Sequence, residues 1–155
     1  SLTNVSLGHK NLLGCIPNPG ALHEGIGEGG AARDPTQSPL VDLAANANVS
    51  GKAILTVNDS LFGNPESHSS GPSQWSTFLQ HLGTASPNSL FLSTDMVAVD
   101  AVVCAVIAAE RPAAISDWVL NHLRLAEQRG LGCYEWGDLW HPAYSRLEFV
   151  RLMLG

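Results

Sequence analysis

Charge is scarce in this 155-residue chain: Asp, Glu, Lys and Arg make up 14%, where an ordinary soluble domain carries about a quarter. Lysine occurs only at Lys10 and Lys52, and 8 basic against 14 acidic residues leave a net charge of −6. No basic run exists, which excludes the electrostatic footprint of a nucleic-acid binder. Cysteine is equally sparse. Cys15, Cys104 and Cys133 form no Cys-x-x-Cys pair, which excludes a disulfide framework and a four-thiolate iron–sulfur cluster within this chain. The longest apolar run, Ala101–Ala109, is about half a membrane span, so no spanning helix is expected. Phosphate-loop and nucleophile-elbow motifs are missing. GIGEGG has neither a strand before it nor a helix after it, as a dinucleotide loop requires. No signal peptide is visible, and the chain opens at Ser1 without Met. It is therefore expected to be either a fragment of a longer chain or a reduced version of one, soluble, and cytoplasmic or exported.

What is present is an apolar content of 45%, enough for one real core over residues 1–155. Ser1–Gly30 is dense in Gly, Pro and Asn and reads as surface loop, with a long Gly/Pro-rich loop over 15–37. Ser38-Pro39 signals a helix start running to about Ala47. KAILTVND, Lys52–Asp59, reads as a buried strand, and SLFLS, Ser89–Ser93, as a second. A short helix is expected around Gln74–Leu82, and a long one from the Ser93-Thr94-Asp95 cap to about Glu110. Pro112 opens a further helix, with Ile115, Trp118, Val119, His122, Leu123 and Ala126 recurring at three- and four-residue steps and Gly130 as its stop. YSRLEFVRLML is compatible with strand or helix. Strands alternating with helices predict an α/β fold, a layered sheet with helices, as part of a larger α/β domain. In such folds ligands bind beyond strand carboxyl ends, where Asn58-Asp59-Ser60 and Ser93-Thr94-Asp95 both fall.

Three groups could carry chemistry. The Ser93-Thr94-Asp95 triplet caps a helix in its simplest reading; in the functional one it holds an anion, or Asp95 acts as base or metal ligand. Asp100 stands alone inside a helix apolar on every face, where a carboxylate needs a partner or a shifted pKa. Asp95 and Asp100 lie about 140° apart around the axis, so they form no dyad, and Asp100 shares its face with Val97 and Cys104. Asp100 is read equally as a structural clamp and as a catalytic group. Lys10 with Asn11, set among glycines and apolar residues, either holds an anion, pairs with a buried Asp, or lies exposed in a loop. The six histidines are scattered without the i, i+4 spacing of a helical metal site. His23 with Glu24 is the most plausible ligand pair among them.

Taken in order, the blocks HKNLLGCIPNPG, LTVNDSLFGNPESHSSGP, LFLSTDMVAVDAVV and AEQRGLG resemble the domain of unknown function 362 family over most of residues 9 to 132. Ser-Thr-Asp-x-Val-Ala-Val-Asp is the most specific of the motifs. The sequence departs from the family at Ser60, where a glycine is usual, and lacks a loop glycine near Pro72 and the ferredoxin cysteines some members carry. Because the family domain is longer, the resemblance implies a C-terminal portion. It also implies that Lys10, Asp59, Asp95 and Asp100 gather at one pocket as catalytic residues. Asn11, His23, Ser93 and Thr94 would bind ligand, and Asp100 would pair with Lys10 beneath them.

Two functions follow as expectations. The first is a redox-associated enzyme domain acting on a small anionic substrate. It would use a divalent cation, magnesium by its oxygen ligands at Asp95 and Asp59, with electrons handled by another segment or protein. The second is a non-catalytic ligand-binding or protein-interaction module, favoured by Trp136, Trp140 and Tyr144 in CYEWGDLWHPAY. A homo-oligomer or an electron-transfer partner fits either, and a structural fragment that has lost its active half is a third alternative. Substrate and reaction are not legible.

Overall fold

The computed structural model describes residues 7–18, 36–64, 71–112, 115 and 117–154. The expectations placed on 19–35, including His23, Glu24 and most of the Gly/Pro-rich loop, lie outside these residues. In chain order the elements are a 3₁₀ helix Leu7–Cys15, helices α1 (Pro39–Ala45) and α2 (Ala47–Ser50), strand β1 (Thr56–Ser60), helix α3 (Ser76–Leu82), strand β2 (Ser89–Ser93), helix α4 (Met96–Glu110) and helix α5 (Asp117–Gln128). The fold is thus mixed α/β. Among the described residues no helix is long and apolar enough to cross a membrane.

Helix α4 is the central element, and every residue from Val97 to Val106 is buried. Its uniform apolarity is explained by neighbours on two sides. One side packs Val97, Ala101 and Cys104 against Val41 of α1 and Leu123 and Ala126 of α5. The other packs Val102 and Val106 against Trp75, Phe78 and Leu139. Helix α5 ends in a Schellman motif: Gly130 adopts φ 71°, its N–H donates to Glu127 O, and Leu131 N–H donates to Ala126 O. A glycine tolerates that left-handed conformation without a Cβ penalty. Helix α5 begins at Asp117, later than the proline signal at Pro112 implies.

Three sequence expectations are corrected here. The first concerns residues 7–15, read as loop, which form a 3₁₀ helix anchored by buried Leu12 and Leu13, the latter packed on Leu40. Its glycines sit within an i→i+3 pattern that tolerates them over a short stretch. The second concerns Lys52–Asp59. The strand is Thr56–Ser60, and it is half-buried with strict alternation rather than buried. Ile54 and Leu55 before it are exposed. The third concerns topology. Strands β1 and β2 pair antiparallel, with Thr56 opposite Ser93 and Ser60 opposite Ser89. Their carboxyl ends therefore lie at opposite ends of the ribbon, about 13 Å apart at the usual rise per residue. The two polar clusters do not converge.

The tail is neither strand nor helix. Tyr144, Leu147 and Phe149 cover the second core cluster, while Glu135 accepts hydrogen bonds from Ser145 N–H and Oγ and from the Arg146 and Leu147 N–H groups. Those bonds, the Ser145 N–H first, hold the Glu135 carboxyl down to about 2. Trp140 stacks on His81 at 4.3 Å and meets Phe78 edge-on, so this aromatic belongs to the packing of the second cluster.

Helix α3 lacks a side-chain cap at Trp75. Glu110, at the far end of α4, supplies it: one carboxylate oxygen accepts from Ser76 N–H and Oγ, the other from Thr77 N–H and Oγ1. Burial pushes the Glu110 carboxyl up, but the bonds from Thr77 and Ser76 outweigh it and hold it below its usual value. A carboxyl depressed on folding contributes stability that is present above its unfolded pKa and lost as pH falls through the folded one. Glu110→Gln is expected to cost about 1–2 kcal/mol at neutral pH, the scale of charge-assisted hydrogen bonds. In urea titrations across pH, that gap from the parent should narrow below about pH 4. A gap constant down to pH 2 would remove the ionised cap from the account.

Candidate functional site

The site is built around Asp100, which is fully buried on the first turns of α4. Its Oδ1 accepts from the Gly8 N–H at 2.9 Å and from Asn58 Nδ2 at 3.0 Å. Its Oδ2 accepts from the His9 N–H at 3.0 Å and lies 2.7 Å from His9 Nδ1. Four donors meet a carboxylate that offers about four lone-pair sites, which is what a buried anion requires. Among the described residues, then, the bonded partners of Asp100 are Gly8, His9 and Asn58. Lys10, the partner suggested by the sequence, is half-buried beside His9.

Local structure explains the approach. Leu7 takes a left-handed conformation, φ 46°, uncommon for a residue with a branched side chain, and turns the chain just before the two donating N–H groups. Gly8 must be glycine: a Cβ there would lie 2.7 Å from Asp100 Oδ1 and 3.0 Å from Asn58 Oδ1. In β1 the alternation of side chains aims Asn58 inward and Asp59 outward. Exposed Asp59 accepts from the Leu61 N–H in a local turn. Of the cluster at the end of β1, it is therefore Asn58 that reaches the site.

His122 completes the constellation. It lies on the apolar face of α5, buried, with its ring edge-on to His9 at a centroid separation of 5.4 Å. One nitrogen of His9, one nitrogen of His122 and one oxygen of Asp100 all lie within 4.8 Å of one another. Cys104, one turn beyond Asp100, is also buried; burial first, and the Asp100 charge second, push its thiol well above the usual range. Such a thiol is inert as a nucleophile.

His9 also lines a small cleft of about 90 Å³. Thr56, Thr94 and Ser50 supply the other polar groups, and the rest of the lining is largely aliphatic, including Val49, Leu55 and Met96. The cleft lies where β1 begins and β2 ends, so Thr94 faces it while Asp59, three residues into β1, does not line it. Exposed Asn11 does not line it either.

Asp95 caps α4. Its Oδ1 accepts from the Ala98 N–H at 2.9 Å and its Oδ2 from the Cys133 N–H at 2.7 Å. The Asp95 N–H in turn donates to Ser93 Oγ at 2.9 Å. Asp95 thus ties the start of α4 to the Gly130-Leu131-Gly132 turn, and Ser93 supports the same turn.

Sequence reasoning singled out Asp100 but missed His9, His122, Asn58 and Gly8 as its companions. A signal existed for one of them: His122 recurs at an apolar position of an amphipathic helix. His9 carried none, because its contact with Asp100 spans 91 residues.

A family model described as Domain of unknown function (DUF362) matches residues 1–105. The match lies in the N-terminal part of the chain and ends ahead of AEQRGLG, which overturns the expectation of a C-terminal portion spanning residues 9 to 132. No curated protein matches the chain, and no solved structure does.

Proposed function

The chain belongs to the Domain of unknown function (DUF362) family, and from that premise we propose a small-ligand-binding, enzyme-like domain working through His9. The observation that carries this reading is the 2.7 Å contact of His9 Nδ1 with Asp100 Oδ2, in a residue that also lines the cleft. A carboxylate on one ring nitrogen fixes the tautomer and orientation of the imidazole, leaving the other nitrogen to give or take a proton. The lining, in which His9, Ser50, Thr56 and Thr94 stand among aliphatic side chains, suits a small ligand with both a polar head and an apolar body. Its anionic or hydrogen-bonding head would meet His9, Thr56 and Thr94. Any redox role implied by the family resemblance would need electrons carried outside these 155 residues, by another segment or another protein, since three dispersed cysteines cannot ligate a cluster.

The probe is 2-oxobutyrate, a short acid with an apolar tail and acidic carbon-bound protons. Binding is expected to shift the Thr56 and Thr94 amide resonances. Thr94→Val should weaken it about tenfold, the worth of one hydrogen bond of about 1.4 kcal/mol. Exchange of the ligand's carbon-bound protons into heavy water, lost in His9→Gln, supports acid–base chemistry. Saturation of all four acceptor positions of Asp100 favours a second reading, in which His9 only locks the 3₁₀ helix and the cleft binds without chemistry. Binding with no exchange selects that module. No resonance shift at millimolar 2-oxobutyrate or inorganic phosphate removes the cleft as a site.

A further inference from the structure

We propose that His9, Asp100 and His122 form a buried three-ligand site for a borderline divalent cation such as Zn²⁺, Co²⁺ or Fe²⁺. The three side chains come from separate elements, the 3₁₀ helix, α4 and α5, and meet at one point of the core. All three are buried, at 1%, 0% and 6% exposure. Gathering two imidazoles and a carboxylate in an apolar interior costs desolvation energy. A chain built only for packing would meet the same volume more stably with aliphatic residues. A cation that takes the place of the proton between His9 Nδ1 and Asp100 Oδ2 would free one of the four filled acceptor positions and turn that cost into binding energy and into folding energy.

The donor set selects the cation. Two imidazole nitrogens and one carboxylate oxygen suit zinc, cobalt or ferrous iron, whereas Mg²⁺ takes oxygen ligands and keeps much of its water. The oxygen-only site expected from Asp59 and Asp95 does not assemble, since the two lie toward opposite ends of the ribbon. Outer support is in place as well. The Gly8 N–H and Asn58 Nδ2 both donate to Asp100 Oδ1, the role that partners of metal ligands commonly play. His9 would present the cation to the side of the core that borders the cleft. In that respect the proposal rests on the reading above, while His122, which is not part of the cleft lining, belongs to the cation site alone.

The experiment is titration of the full chain, stripped of metal by dialysis, with Co²⁺ followed by visible absorption, and with Zn²⁺ as competitor. One equivalent of Co²⁺ with tetrahedral-type bands, displaced by Zn²⁺, is expected. His122→Gln should weaken binding by about 100-fold or more, since losing a support to a ligand already costs 10–100-fold. Circular dichroism identifies a variant that has merely unfolded. His122→Asn, smaller and polar, serves if His122→Gln fails to fold. Absence of stoichiometric Co²⁺ binding in the folded parent overturns the site, as does undiminished binding in a folded His122 variant. Resonance shifts with 2-oxobutyrate, measured on the same samples, report the cleft separately. Metal binding without ligand shifts sinks only the cleft, and ligand shifts without metal binding sink only the cation site.

Discussion

Asp100→Ala is expected to destabilise the protein by about 3–5 kcal/mol, the cost of removing one member of a buried ionic network. At about 2–4 °C per kcal/mol for a chain of this size, the thermal midpoint should fall by roughly 10 °C or more. The physical reason lies in the donors left behind. Gly8 N–H, His9 N–H and Asn58 Nδ2 all donate to this carboxylate, and each buried donor without an acceptor costs about 1–3 kcal/mol. Asp100→Asn should recover little, because one of the two oxygens becomes an NH₂ group facing donors. Thermal and urea unfolding measure both variants. A midpoint of Asp100→Ala close to the parent's would show that the network does not hold the 3₁₀ helix to the core. A cycle with His9→Gln separates the side-chain contact from the backbone ones, because residues in one network are expected to be non-additive.

Gly132→Ala carries the second large effect. A Cβ at this position would collide with the Asp95 carboxylate, 2.7 Å from its Cγ and 2.9 Å from Oδ2. Either the 131–133 turn or the Asp95 side chain has to move, and both tie the same knot. Loss of the α4 cap costs about 1 kcal/mol, and a stranded Cys133 N–H about 1–3 more. The expected total is about 2–4 kcal/mol. Gly14→Ala is the matched control, because a Cβ there meets nothing within 4 Å, and it should change stability by no more than about 0.5 kcal/mol. Amide hydrogen exchange gives the specific readout: Ala98 and Cys133 should lose protection first in Gly132→Ala. Uniform acceleration at every amide would mean that the turn and the helix start are not coupled through Asp95.

The helices were largely legible because their signals are local. Pro39 stands at the first turn of α1, Gly83 and Gly130 adopt the left-handed conformation past α3 and α5, and Asp95 accepts from Ala98 at the start of α4. Each of these is a contact over a few residues, visible in spacing alone. The strands were legible as strands and misread in depth. A short apolar run does not say whether one or both faces are covered, and the alternation of Val57, Leu90 and Leu92 outward with Asn58 and Phe91 inward appears only once the ribbon is paired.

The candidate site shows the opposite limit. Asp100 was conspicuous because a lone carboxylate interrupts an apolar helix, a one-dimensional anomaly. His9 reaches it across 91 residues and Asn58 across 42, and no periodicity encodes those distances. The antiparallel pairing likewise separated Asp59 from Asp95, which sequence had placed together at strand ends. By itself, the sequence determined the α/β composition, the burial of α4 and the presence of a carboxylate needing partners, because these follow from local patterning and from the cost of an unpaired charge. Which donors met that carboxylate, and that a second histidine stood beside them, only the tertiary structure decided. Packing brings distant elements together through shape and apolar burial, which carry no local signature in the chain.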